Sequence, residues 1–307
     1  MNDFEPLVSV IIPTFGRANY IERAITSVLN QTHTNFEIII VDDNGLGTNN
    51  QILTKQVVEK FLVNNKIRYF SYAKNMNGSY ARNYGANYAN GDYICFLDDD
   101  DEFVKTKIEK QLVAMANGNY GACYCGHIRK NLISGKNTIY NPGAFGDVKK
   151  NMAFNDVDFC LGSTLMIKKD IFDSFGGFDV NLKRFQDYNL GIKIAFSTLV
   201  GVVSTPETII YTHDGSNKPK QFFEIEKARN DYYSSVINYI NNLDKKSVRR
   251  FVFLHNYFLL KEATKAKKIK KIFKYFFACK NPFSIVKQFS RERRSLSQNE
   301  KCNTSSI

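Results

Sequence analysis

The chain is predicted to be an α/β protein, with a mostly parallel central sheet, helices on both faces and a basic helical extension at the C-terminus. Three observations predict this. Apolar runs alternate with helix-period segments four times before residue 117. The runs are continuous rather than polar-alternating, as in strands buried on both faces. The positive charge is concentrated: residues 245–294 hold 16 Lys and Arg against Glu262 and Glu292, a net of +14 in a chain of net +12.

The elements follow in order. Leu7 to Ile12 is a β-branched run stopped by Pro13, and Tyr20, Ile21, Ala24, Ile25, Val28 and Leu29 follow at helical spacing. Phe36 to Val41 is a second strand, ending in Asp42-Asp43-Asn44-Gly45. Residues 50–63 read as a helix, Ile67 to Tyr72 as a third strand, and Gly78 to Ala89 as a helix. Tyr93 to Leu97 is the fourth strand, and Val104 to Ala116 the next helix. From about residue 120 the alternation stops. Tyr120 to Cys125 and Ile128 to Tyr140 read as a hairpin, and a loop runs from Asn141 to about Cys160. Leu161 to Ile167 is a strand, and a short helix precedes Gly176. Lys183 to Ala195 holds a further helix. Leu199 to Val203 and Thr208 to Thr212 are strands that close at His213. Residues 1–220 are thus one domain with halves at 1–117 and 118–220. A helical basic extension follows at 221–294, then a polar tail at 295–307 predicted to be disordered.

The chain has 307 residues, 43% hydrophobic and 14% aromatic, enough for a large core. Its six cysteines are scattered, which fits reduced thiols. The N-terminus has no basic region or cleavage site, so no signal peptide is predicted. No run approaches the length of a membrane span. Outside residues 245–294 the charge balance is near neutral, so membrane or nucleic-acid binding concerns only that segment.

The chemistry gathers at strand ends. The fourth strand runs into Asp98-Asp99-Asp100-Asp101. On an extended chain Asp98 and Asp100 can point the same way. Like charges so close repel unless a cation sits between them, and hard carboxylate oxygens suit Mg²⁺ or Mn²⁺. Pro13-Thr14-Phe15 and Asp42-Asp43 end the first two strands, where open α/β sheets bind ligands. No G-x-G-x-x-G follows the first strand, so a dinucleotide fold is not indicated.

Six pieces in order resemble an inverting family 2 glycosyltransferase with the GT-A fold, of the bacterial surface-polysaccharide type. They are Ile12-Pro13-Thr14-Phe15-Gly16-Arg17, Val41-Asp42-Asp43-Asn44, Asn77-Gly78 with Ala81-Arg82-Asn83, Phe96 to Asp101, Gly176-Gly177-Phe178-Asp179, and Phe185-Gln186-Asp187-Tyr188. The resemblance covers about residues 7–215 and implies roles. Residues 1–117 would bind the nucleotide and 118–220 the acceptor. Pro13, Thr14 and Phe15 resemble the wall that stacks uracil, and Arg17 belongs to the same donor-binding stretch. Asp43 resembles the carboxylate that accepts from base or ribose, and Arg82 the cation beside the diphosphate or base. Asp98 and Asp100 resemble the D-x-D pair, with Asp98 nearer the ribose and Asp100 holding Mn²⁺ or Mg²⁺. Here an acid, Asp99, stands between them, so Asp99 or Asp101 can share that work. Asp187 resembles the general base, and His213 the late metal ligand. Ser163 and Thr164 would line the acceptor site.

Each residue also has a plainer reading. Asp42-Asp43 can cap a helix, Phe15 can be core, Arg82 can pair with a surface acid, and Asp187 can be a first-turn helix acid. Ser163 and Thr164 can simply start a strand. In the extension, Ile269, Ile272, Phe273, Phe276 and Phe277 line one side of a helix, with Lys267, Lys268, Lys270, Lys271 and Lys274 over the rest. Docking on the anionic inner leaflet is expected, and packing on the body is the alternative. No nucleic-acid motif accompanies the charge. The resemblance implies a transfer from a nucleotide-sugar donor, a UDP-hexose, to a lipid-linked saccharide acceptor. The chain would work in the cytoplasm at the inner face of the membrane. A nucleotidyltransferase of related fold would carry a Gly- and Lys-rich phosphate loop where Pro13 to Arg17 stands, and a non-catalytic membrane or nucleic-acid binder would show no metal-dependent protection by UDP in a thermal-shift assay.

Overall fold

Every residue of β1 (Val8–Thr14) and β2 (Phe36–Asp42) is buried. Such strands need cover on both faces, and the helices between strands supply it. The computed structural model describes residues 5–156, 162–212 and 221–280, together with Ile285 and Gln288. The chain divides into two compact units, Met1–Asp214 and Gly215–Ile307.

In the first unit β1, α1 (Ala18–Leu29), β2, α2 (Asn49–Glu59), β3 (Ile67–Ser71), α3 (Gly78–Asn87) and β4 (Tyr93–Phe96) form consecutive βα units. Their strands pair in parallel in the order β3-β2-β1-β4. Val10, Ile12, Ile38 and Ile40 pack with Ile21, Ile25 and Val28 of α1 on one face. On the other face α3 lies close, because Gly85 has no side chain: a Cβ there would stand 2.5 Å from Ile11 Cγ2.

The rest of the unit makes the sheet mixed. β5 (Glu102–Phe103), α4 (Lys107–Gly118), β6 (Ala122–Asn131), β7 (Asn137–Tyr140), α5 (Lys149–Ala153), β8 (Leu165–Lys168), α6 (Lys169–Ser174), α7 (Gln186–Ser197) and β9 (Val200–Thr212) follow. The sheet continues from β4 through β8, β6 and β9 to β5, with β7 on β6. β8 runs antiparallel to β4 and β6, and β6 runs parallel to β9.

Some expected boundaries move. The hairpin is β6 with β7, turning after Asn131. The pause expected between Cys125 and Ile128 is a bulge at Gly126 inside one strand, opposite Pro206. Pro206 lacks an amide hydrogen and is tolerated at such an irregularity, so the two strands expected after residue 199 are the single strand β9. The strand expected from Leu161 starts at Leu165, after a 3-10 turn at Gly162–Thr164. Cys95, Cys123, Cys125 and Cys279 are buried free thiols.

The second unit holds α8 (Phe222–Ile240), α9 (Lys245–Lys265) and α10 (Ile269–Ala278). Asp244 caps α9 by accepting from Ser247 N at 3.0 Å. Tyr275 and Cys279 are buried with Tyr257, Leu260 and Ala263 of α9, and Ile272 packs on that cluster. No helix among the described residues is long and apolar enough to cross a membrane. The polar tail and the expected short piece around Phe283 to Phe289 lie outside the described residues, apart from Ile285 and Gln288.

Candidate active site

The four aspartates do not continue an extended strand. Asp101 N donates to Asp98 O at 3.0 Å, so the chain turns just beyond β4. This corrects the expectation that Asp98 and Asp100 share a direction: a turn fans its side chains out. Asp98 pairs with Arg82. Asp99 accepts from Thr14 Oγ1 at 2.7 Å and lies 3.2 Å from Arg17 Nε. Asp100 pairs with Arg17. Asp101 accepts from Ser163 Oγ at 2.5 Å and from Tyr211 N at 3.2 Å. Asp98 and Asp101 therefore reach different partners, while Asp99 and Asp100 share Arg17.

Burial sets the electrostatics. It pushes the Asp99 carboxyl up to about 7 although Arg17 and Thr14 oppose the shift. It raises Asp101 well above the usual carboxylate range, and the charge of Asp98 adds to the effect. Arg17 and Arg82 bring the compensating positive charge.

Asp187 stands in the first turn of α7. The helix is entered through Phe185, a non-glycine residue at φ 64°, a conformation that costs energy and clusters at functional sites. Burial pushes the Asp187 carboxyl up to about 6, with Arg82 pulling it down and Asp98 pushing it further up. Arg82 in turn feels both Asp98 and Asp187. The fold thus brings Asp187, Arg82 and Asp98, from three distant stretches of sequence, into one electrostatic cluster. Gly162 closes it: a Cβ there would lie 3.3 Å from Asp98 Oδ1 and 3.6 Å from Arg82 Nη2.

Other expected residues take different places. Phe15 follows β1 and is 53% exposed, so it is not core. Pro13 is buried within β1. Asp42 and Asp43 do not cap α2, whose cap is Thr48. Asp42 accepts from Tyr69 Oη at 2.6 Å and from the backbone and side chain of Asn44. Asp43 has each oxygen filled twice: Oδ1 accepts from Tyr72 Oη (2.7 Å) and Met76 N (2.6 Å), and Oδ2 from Asn75 Nδ2 (2.8 Å) and Asn77 N (3.0 Å). A carboxylate offers about four acceptor positions, so here Asp43 fixes the loop that starts α3.

Ser163 and Thr164, expected to line the acceptor site, sit beneath the aspartate turn. They are 1% and 0% exposed. Ser163 Oγ accepts from Asp98 N at 3.0 Å while donating to Asp101, so it pins the aspartate turn from below. His213 lies outside the described residues. Sequence spacing missed Arg23, whose guanidinium donates to the Asp100 carbonyl, lies 3.1 Å from Glu102 and covers the Tyr211 ring at 3.7 Å. It also missed the buried node of Lys107 and Gln111, where Lys107 Nζ donates to Gln111 Oε1 at 2.7 Å. Arg23 has no local signal, since its partners lie on other elements; Lys107 and Gln111 are an i,i+4 pair on α4, but Gln111's other partners, Cys123 and Thr164, lie elsewhere.

The donor set at the turn fits a hard divalent cation, because carboxylate oxygens are its preferred ligands. Among the described residues no three acid, His or Cys side chains converge on one point. An ion here would be held by one or two of Asp98 and Asp100 together with ligand phosphates, the mode usual for Mg²⁺.

Comparisons with known proteins bear on this geometry. The family model of glycosyl transferase family 2 matches residues 9–176. An uncharacterised glycosyltransferase of Rickettsia felis is 32% identical over 217 residues, 68% of this chain and 34% of that protein, so the chain spans about a third of that relative's length. The Escherichia coli protein WfgD, a UDP-Glc:alpha-D-GlcNAc-diphosphoundecaprenol beta-1,3-glucosyltransferase, is 32% identical over 169 residues, 54% of this chain and 63% of its own. Among solved structures, residues 1–349 of Staphylococcus aureus TarS in complex with UDP superpose with a TM-score of 0.62 at 18% identity, covering 84% of this chain and 72% of that one; this likeness speaks to the fold. The fold is the GT-A arrangement, and the chain belongs to glycosyl transferase family 2.

Proposed function

We propose that this chain is a metal-dependent inverting glycosyltransferase. It moves a hexose from a UDP-linked donor to a saccharide acceptor, lipid-linked, in the synthesis of a surface polysaccharide such as O-antigen or capsule. The observation that carries the reading is the cluster of Asp187, Arg82 and Asp98 beside the aspartate turn. Family membership supports a sugar transfer. The names of WfgD and of the TarS complex support UDP as the nucleotide and a diphospholipid-borne acceptor.

Asp187 takes the proton of an acceptor hydroxyl, and the oxygen attacks the anomeric carbon. The bond from that carbon to the diphosphate oxygen breaks on the opposite face, so one displacement inverts the centre. General base help of this kind contributes about 10²–10⁴ in rate. Arg82 and Arg17 face the charge that grows on the departing diphosphate. A Mn²⁺ or Mg²⁺ ion held by Asp98 and Asp100 would supply further neutralisation of that charge. The exposed Phe15 offers its ring face to the base. Asp43 contributes by holding the loop before α3. The same reading puts the chain at the inner face of the cell membrane.

A donor screen tests the proposal. Nucleotide release from UDP-, GDP- and dTDP-sugars is measured with a saccharide acceptor, with Mn²⁺ and with EDTA. UDP release that needs Mn²⁺ and stops with EDTA is expected. Pyrophosphate release from NTP and a sugar phosphate, with no UDP release, would replace this reading with a nucleotidyltransferase.

A further inference from the structure

Helix α10 has two apolar faces, and among the described residues only one is covered. Tyr275, Cys279 and Ile272 pack against α9, and Tyr275 Oη and Lys271 Nζ both donate to Glu226 of α8, the latter at 2.7 Å. The helix is therefore held in a fixed rotation by its neighbours. Next to the packed face, Ile269, Phe273, Phe276 and Phe277 are 68%, 59%, 41% and 70% exposed. Helical spacing puts these residues with Ile272 on one side; packing divides them. Three phenylalanines within five residues of helix are a large apolar surface to leave in water.

We propose that this second face is a preformed docking surface for a bilayer containing anionic lipids. The choice of occupant rests on charge. No Asp or Glu occurs between Glu262 and Glu292, while Lys267, Lys268, Lys270, Lys271, Lys274 and Lys280 fall within or beside α10. Lys270 and Lys274 stand seven and three residues before Phe277 and both are exposed; Lys270 lies on its side of the helix, while Lys274 Nζ reaches to within 3.8 Å of Glu226. Phenylalanines entering the acyl boundary with lysines at the headgroups is the arrangement an interfacial helix needs. A second copy of the same face would set like charges against each other, which opposes self-association. Because α10 is already folded and tied to Glu226, binding does not have to meet the cost of ordering a helix.

The inference deepens the membrane-side reading above and rests on it, but its test contains no sugar nucleotide. Its failure would leave the transferase reading standing, and the reverse. The full chain is floated with vesicles of phosphatidylcholine alone and of phosphatidylcholine mixed with phosphatidylglycerol. Binding to the mixed vesicles only, weakened by added salt, is expected. Phe273→Ser with Phe277→Ser should lower the partition coefficient about tenfold or more with the thermal midpoint unchanged. Lys270→Gln and Lys274→Gln should each lower it about fivefold. Equal partition into both vesicle types, no partition, or wild-type binding by the double Phe variant would overturn the proposal. So would a dimer in solution that the double Phe variant abolishes, or binding of single-stranded RNA that outcompetes the mixed vesicles.

Discussion

Thr14 Oγ1 donates to Asp99 Oδ2 at 2.7 Å, joining the end of β1 to a turn 85 residues further along the chain. Both groups are buried, 2% and 1% exposed. Thr14→Val keeps the shape and removes the donor. It should cost about 1–3 kcal/mol of stability, because a buried acceptor then loses a partner. Urea unfolding of the two proteins measures this. An unchanged midpoint would mean that the bond contributes nothing.

Ser163 separates a positioning role from an acceptor contact. Its hydroxyl accepts from Asp98 N and donates to Asp101, so Ser163→Ala loosens the turn that bears Asp98. Donor KM should rise by about tenfold, the equivalent of one hydrogen bond of about 1.4 kcal/mol, with acceptor KM little changed. A rise confined to acceptor KM would favour the acceptor contact instead.

The rate should have an acid limb set by Asp187. A general base works only when ionised, so kcat rises with pH through the Asp187 value of about 6 and flattens above it. Arg82 holds that value down, so Arg82→Gln should move the limb to higher pH in addition to weakening donor binding. Asp187→Asn should remove turnover while UDP still raises the thermal midpoint. A pH profile flat from 5 to 8, the span about one unit and more around 6, would take Asp187 out of the mechanism.

Beneath the site, Gln111 is fully buried and makes three contacts. Its Nε2 donates to Cys123 O at 3.1 Å and Thr164 O at 3.0 Å, and its Oε1 accepts from Lys107 Nζ at 2.7 Å. The Lys107 ammonium also sits 3.9 Å over the Phe103 ring and makes no ion pair among the described residues. Gln111→Leu leaves that buried cation only the weak acceptor Cys95 Sγ at 3.8 Å and should cost about 3–5 kcal/mol. Chemical denaturation checks the value. A loss under about 1 kcal/mol would mean that water or a shift of Lys107 compensates.

The sequence determined what is local. Continuous apolar runs made β1, β2 and β4, helix-period spacing made α1, α3 and α4, and the punctuation between them placed Thr14, Asp42 and the four aspartates at strand ends. Periodicity depends on neighbours in the chain, so these elements were legible. The partner of each polar group was not, because it arrives from elsewhere in space. Tertiary structure turned the aspartates apart, filled Asp43 with donors from residues 72–77, buried Ser163 beneath the turn and set Asp187 beside Arg82 and Asp98. It also divided the apolar side of α10, since only packing against α9 and Glu226 decides which rings a helix buries and which it leaves outside.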